Sequence, residues 1–358
     1  MPPWWGAGRA RWAIALVALL AVSIGGLNLW PGALVRVAFL CSAPGLSSLI
    51  PCNRVVTGTP GVPPTVAEDP VPTRVLTSSS QLAAAIATVG QAGSGTLSVG
   101  EGVFEIQAPV VLSGHVTIRG VAPERSVLRL VSATGGILYR GDGTLSIADI
   151  GIVLVTSGAG DVLTIGGGTA RLERIAVTGG RPGGGVAGAG LVFVGGATGS
   201  ARDCIVQANE FGVWIANQAT PSISRCTIAS NLARGVSFHG DSGGELIGNT
   251  IEGNGYARTR DDHWQGVALQ ESAAPSIRDN TIRDNAGIGV QYRDTSGGNF
   301  SGNRVSGNGW NIQRYADATA SAGGLAIGTR NTNHQPTPTI GSGNTYSNNY
   351  GGNVIDYR

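Results

Sequence analysis

Two stretches concentrate the side chains able to do chemistry: GYARTRDDHWQ (255–265) and GWNIQRYADATASAG (309–323). The first supplies Asp261, Asp262 and His263, and the sequence around it adds His239 and Arg293. These five are candidates for an acid, a base and a charge neutraliser acting on a sugar. Inverting glycosidases hold two carboxyl groups about 6.5–9.5 Å apart. Asp261 or Asp262 meets that spacing with Asp317 only if the two stretches fold toward each other. Tyr256, Arg260, Trp264, Trp310, Arg314, Tyr315 and Asp317 also lie in these stretches, and Trp214 and Gln270 lie outside them. Aromatic faces stack on the C–H surfaces of sugar rings, and guanidinium forks grip uronate or sulfate groups. This second set is therefore the candidate binding set. No metal-ligand spacing or cofactor motif is present, so none is expected. The competing reading leaves Asp261-Asp262-His263 as a solvated turn and His239 as an ordinary surface histidine.

A repeat must position these residues. From residue 200 a unit recurs near every 22 residues, as in SISRCTIASNLARGVSFH (222–239) and SIRDNTIRDNAGIGVQYR (276–293). One polar position of the unit runs Cys204, Cys226, Asn249, Asn280, Asn303, Asn344; the other runs Asn209, Asn231, Asn254, Asn285, Asn308, Asn348. A period near 22 with three short apolar pieces predicts one turn of a right-handed parallel β-helix. Coils stacked about 4.8 Å apart turn a repeated residue into a ladder, and an amide can donate to one neighbour while accepting from the other. Of the 19 asparagines, 17 follow residue 200, which locates the regular part. Cys204 and Cys226 are expected to be buried, stacked thiols. The glycine of each G-V pair is expected to supply a turn dihedral.

Strand alternation assigns faces. Val213/Ile215, Val236/Phe238, Val267/Leu269, Val290/Tyr292 and Leu325/Ile327 should point inward. Trp214, Ser237, Ala268, Gln291 and Ala326 form an outward column, and Ala216, His239, Gln270, Arg293 and Gly328 the next. Both chemistry-rich stretches are insertions at one corner. The Asn254–Val267 interval exceeds Asn231–Val236 by eight residues, and Asn308–Leu325 exceeds Asn285–Val290 by twelve. Trp214, Trp264 and Trp310 are thereby expected to meet on one face.

Upstream, QLAAAIATV (81–89) follows a serine-rich cap and reads as a short amphipathic helix, placed to close the end of the solenoid. After it, Gly102, Phe104, Ile106, Thr117-Ile118 and Gly120 follow Ala85-Ile86 in an order that resembles the opening of the pectin-lyase-like β-helix superfamily. The resemblance covers about 75–358 and implies an all-β, single-stranded right-handed parallel β-helix with an N-terminal capping helix. Activity varies within that superfamily. Asp261-Asp262-His263 is similar to part of the Asp-Pro-His-Asp element of β-helix mannuronan epimerases, lacking its proline and final aspartate. Polygalacturonase elements are not matched: no glycine precedes His239-Gly240, and the chain has no lysine.

Composition sets the outer limits. The 358 residues include 58 glycines, and a net charge of +2 gives no basic field to suggest nucleic acid as a partner. Residues 12–30 carry no charge and are long enough to span a bilayer, with Arg9 and Arg11 ahead of them. This predicts a transmembrane anchor (1–30) that leaves the rest extracytoplasmic on a single-pass membrane protein; a cleaved signal is the alternative. Cys41 and Cys52 bracket a short loop suited to a disulfide in an oxidising compartment. The region 31–74 is completed by a proline-rich linker. The expected molecule is a membrane-anchored solenoid that binds a polysaccharide or envelope glycan, as a lyase, epimerase or hydrolase, or as a non-catalytic adhesive or structural protein.

Overall fold

The computed structural model describes residues 75–256, 264–310, 323–328 and 335–358. The run 12–30, Cys41, Cys52, the linker, and Arg260, Asp261, Asp262, His263, Arg314, Tyr315 and Asp317 lie outside the described residues. No described helix is long and apolar enough to cross a membrane.

The first long element is a helix, Ser79–Ala92, extending the expected one at both ends. Ser78 caps it by accepting from the Gln81 N–H, and Gly93 ends it at φ 64°. Leu82, Ile86 and Val89 are its buried face. Phe104, Ile106 and Ile118, from the opening motif, are buried in the same core as that face. The helix therefore closes one end of the stack, where open strand edges would otherwise meet water.

Beyond it the chain winds as a parallel solenoid. One sheet has ten strands, one per coil, so the solenoid makes about ten turns; the other has 19. In the regular part each coil gives the larger sheet two short strands, such as Ser222–Ser224 and Thr227–Ala229. Arg225, at φ 52°, bends the chain between them. The same bend falls at Asp149, Arg174 and Asp203 in the three preceding coils (φ 58°, 48° and 55°). There the guanidiniums fork onto the aspartate one coil back. Arg225 meets Asp203 through two contacts of 2.8 Å, and Arg174 meets Asp149 at 2.6 and 3.1 Å. The Arg225–Asp203 pair is well exposed and contributes register more than stability, whereas Asp149 is largely buried beneath Arg174.

The core is a stack of identical positions. Val213, Val236, Val267, Val290 and Leu325 lie in one buried column, and Ile215, Phe238, Leu269, Tyr292 and Ile327 in the next. Each buried aliphatic side chain contributes roughly 1.5–3 kcal/mol relative to exposure. At the corners the asparagines form two unbroken chains. In one, Asn209 Nδ2 donates to Asn231 Oδ1 at 3.1 Å, Asn231 to Asn254 at 2.9 Å, Asn254 to Asn285 at 2.9 Å and Asn285 to Asn308 at 2.8 Å. Its last member is Asn349, not Asn348: Asn308 Nδ2 donates to Asn349 Oδ1 at 3.0 Å, while Asn348 takes the bend at φ 54°. The other chain links Asn249, Asn280, Asn303 and Asn344. Cys226 and Cys204 continue it as buried free thiols, Cys226 Sγ accepting from the Cys204 N–H at 3.3 Å.

The G-V glycines have a different cause from the one expected. Gly212, Gly235, Gly266 and Gly289 do not have positive φ. A Cβ on Gly235 would stand 2.6 Å from the Gly266 carbonyl oxygen, 2.8 Å from Ile251 Cγ2 and 2.9 Å from Asn254 Nδ2. These glycines are required because the next coil and the asparagine chain approach too closely for any side chain.

Candidate functional site on the outer face of the second sheet

The candidate site lies on the outer face of the ten-stranded sheet. Strands Phe211–Ile215, Val236–Phe238, Val267–Leu269 and Val290–Tyr292 pair there in register, aligning Trp214, Ser237, Ala268 and Gln291. The alternation is as expected, yet Ser237, Ala268 and Gln291 are at most 1% exposed although they lie outside the core. The polar members therefore need internal partners.

Arg234 supplies them. Fully buried, it donates from Nε to Gln265 Oε1 at 2.9 Å and from Nη1 to Ser237 Oγ at 3.0 Å and Gln270 Oε1 at 3.1 Å. Gln265 Nε2 donates onward to Gln291 Oε1 at 2.6 Å. His239 Nε2 lies 3.3 Å from Ser237 Oγ, and its ring stacks on Trp214 with centroids 4.0 Å apart and planes at 14°. Phe211 meets Trp214 edge to face, with centroids 5.1 Å apart. One network thus joins four successive coils, holding a buried cation, three amides, a hydroxyl, an imidazole and an indole. Its described members include no carboxylate.

Of the sequence-derived candidates, Trp214, His239 and Gln270 belong to this network. Arg293 follows Gln270 one coil on, its N–H bonded to the Leu269 carbonyl at 2.9 Å. Tyr256 and Trp310 pair elsewhere, with centroids 6.4 Å apart and both rings exposed. Trp310 Nε1 donates to the Asp284 carbonyl at 3.2 Å, and Tyr256 lies over Gly253. Trp264 is half-buried where the chain enters the strand Val267–Leu269, its carbonyl accepting from the Gly287 N–H at 2.9 Å. Among the described residues the three tryptophans share no ring contact: Trp214 stacks with His239, and Trp310 meets Tyr256 at a tilt of 50°.

Strand alternation alone does not place Arg234 and Gln265 in this network. Counting back in alternation from Val236 puts position 234 inside. Gly235 also faces the core, so the count shifts by one and Arg234 emerges outside. The available signal was residue type. The residues before the repeated glycine are Phe211, Arg234, Gln265, Ile288 and Gly323, and only one of them is charged. Next to Phe211, Glu210 lines a cavity of about 530 Å³ with Arg181 and Leu232. Burial pushes its carboxyl above the ordinary value. Among the described residues no group of three or more His, Cys, Asp or Glu side chains is arranged to hold a metal ion.

A family description for the right-handed beta helix region matches residues 162–357. The chain belongs to the right-handed β-helix family. No curated protein matches the sequence. Among solved structures it is similar to the A-modules of two mannuronan C-5 epimerases of Azotobacter vinelandii. One is 16% identical over 78% of this chain and 88% of that chain, with a TM-score of 0.44. The other is 16% identical over 78% and 93%, with a TM-score of 0.43. A pectate lyase is 12% identical over 73% and 69%, with a TM-score of 0.45.

Proposed function

We propose that this β-helix binds an acidic polysaccharide across the outer face of its ten-stranded sheet, outside the cell and held to the membrane by residues 12–30. The observation that carries the reading is the Trp214–His239 stack beside the buried Arg234 network. The half-buried aromatic pair suits the C–H face of a sugar ring, the fully buried Arg234 holds that pair in place without touching the ligand, and Arg293 is the candidate cation for a carboxylate. Strands repeating at about 4.8 Å would lay such contacts along a linear polymer.

Turnover, as a lyase, epimerase or hydrolase, would draw its acid and base from the candidates Asp261, Asp262, His263 and His239, with Arg293 as the charge neutraliser. The second reading is adhesion without turnover. It is favoured by one observation: the amides of the network are already bonded, Gln265 and Gln270 to Arg234 and Gln265 to Gln291, so they are committed to holding the coils together.

The test incubates the full-length chain in detergent with alginate, polygalacturonate and xylan, following binding, chain length and unsaturated products. Binding to the acidic polymers is expected, weakened about tenfold in Trp214→Ala, the scale of one lost stacking contact. Shortened or epimerised chains that disappear in His263→Ala would establish catalysis. Binding unaffected by Trp214→Ala would place the site elsewhere, and binding to none of the polymers would refute the proposal.

A further inference from the structure

We propose that the corner cavity lined by Arg181 and Glu210 is a second sugar site, taking one carboxylated unit with its carboxylate on Arg181 and a ring hydroxyl on Glu210. The cavity holds about 530 Å³, within the range of roughly 300–1,000 Å³ of small-molecule sites. Its wall is a third insertion at the corner that carries the other two. Residues 179–188 join the strand Thr169–Thr178 to Ala189–Phe193, where the next coil needs only 208–210 between Ile205–Gln207 and Phe211–Ile215. The strands entering this corner stack in register from coil to coil, Val177 on Val206, Val206 on Ile228 and Ile228 on Ile251.

The insertion is a built wall. Arg181 exchanges two backbone hydrogen bonds with Gly160, at 2.9 and 2.8 Å. Gly183 and Val186 exchange two more, at 3.1 and 2.9 Å, around Gly184 and Gly185 at φ 57° and 84°, as a tight hairpin turn requires. At its base the Glu210 N–H donates to both the Gly180 and the Gly188 carbonyl at 3.1 Å. The backbones of Arg181 and Glu210 are thus fixed on the cavity wall, yet among the described residues neither side chain has a hydrogen bond or an ion pair. A guanidinium fork matches a carboxylate, and here none inside the protein occupies it. Burial raises the Glu210 carboxyl and so favours its neutral form, which donates to a hydroxyl and does not repel an anion beside it. That combination selects an acidic sugar over an ammonium ligand. Leu232, 46% exposed on the following coil, adds an apolar surface for the ring. Glu210 precedes Phe211, which meets Trp214 at 5.1 Å, so the cavity adjoins the outer face. The choice of a sugar rests on the acidic-polysaccharide reading; the unpaired cation and carboxyl do not.

Isothermal titration calorimetry of the full-length chain in detergent tests this with a galacturonate trimer and its neutral methyl ester. Arg181→Gln should weaken the acidic trimer about tenfold, the scale of one lost charge-assisted contact. Circular dichroism should be unchanged in that variant, because the side chain holds no other part of the described fold. Esterification should weaken binding to the wild type by a similar factor and have no further effect in Arg181→Gln. Glu210→Ala should weaken both trimers alike. An ester that binds the wild type as tightly as the acid overturns the proposal without any variant. So does an acidic trimer that binds Arg181→Gln as it binds the wild type, an esterification effect that persists in full there, or a trimer that does not bind at all. Trp214→Ala separates this site from the outer face. Acidic-trimer binding lost in Trp214→Ala but kept in Arg181→Gln removes the cavity and leaves the outer-face reading standing; the reverse removes the outer face and keeps the cavity.

Discussion

At the scale of single residues, the Asn254 side chain carries four hydrogen bonds. Its Oδ1 accepts from the Asn231 backbone N–H at 3.1 Å and from Asn231 Nδ2 at 2.9 Å. Its Nδ2 donates to the Ile228 carbonyl at 3.0 Å and to Asn285 Oδ1 at 2.9 Å. Asn254→Ala leaves two fully buried donors without an acceptor, which should cost about 3–5 kcal/mol. Denaturant unfolding of the full-length chain measures this, and a loss below about 1 kcal/mol would mean that water replaces the amide. The two thiols at the end of the other chain behave differently. The Cys226 thiol is pushed well up, first by its hydrogen bond with Cys204 and then by burial. Both cysteines are buried out of reach, so they should stay unmodified by iodoacetamide in the native protein and react in denaturant. Mass spectrometry of the peptides decides, and fast native labelling would contradict the buried placement.

At the scale of the element, the short strands are set by what the neighbouring coil permits. Gly235 and Gly248 separate the two reasons for glycine. Gly235→Ala drives a Cβ to 2.6 Å from the Gly266 carbonyl and should cost about 2–3 kcal/mol, because coils must separate. At Gly248 a Cβ meets nothing within 4 Å, but φ is 62°, so Gly248→Ala should cost only about 1 kcal/mol in backbone strain. Comparing the two melting shifts tests the distinction, and equal losses would reject it. The same inward glycine explains how Arg234 reaches the outer face, where it ties three successive coils through Gln265, Gln270 and Gln291. Trp214 belongs to this face by register alone, as alternation foretold.

At the scale of the whole molecule, the solenoid should be sensitive to alkali. The Tyr292 hydroxyl is fully buried, and burial pushes it far above the ordinary phenol value; burial also pushes Tyr346 up to about 12 from 10.0. Neither hydroxyl has a hydrogen-bond partner among the described residues. The folded state therefore keeps protons that the unfolded chain releases near pH 10, so stability is full below that pH and falls as pH rises from about 10 toward 12. Phenolate absorbance should appear together with loss of β-sheet circular dichroism, and ionisation of both groups with the fold intact would contradict this.

The sequence by itself determined the solenoid, its period, its inward columns and nearly all of its asparagine chains. Each of these repeats one residue type at one place in every coil, and stacking copies that type along the axis. It also placed Trp214, His239 and Gln270 on one face, because strand parity is local. Only the tertiary structure decided that Arg234 joins them, that Asn349 rather than Asn348 ends its chain, and that Trp310 pairs with Tyr256. Each depends on how closely one coil approaches the next or how a corner bends, and a linear pattern does not carry those distances.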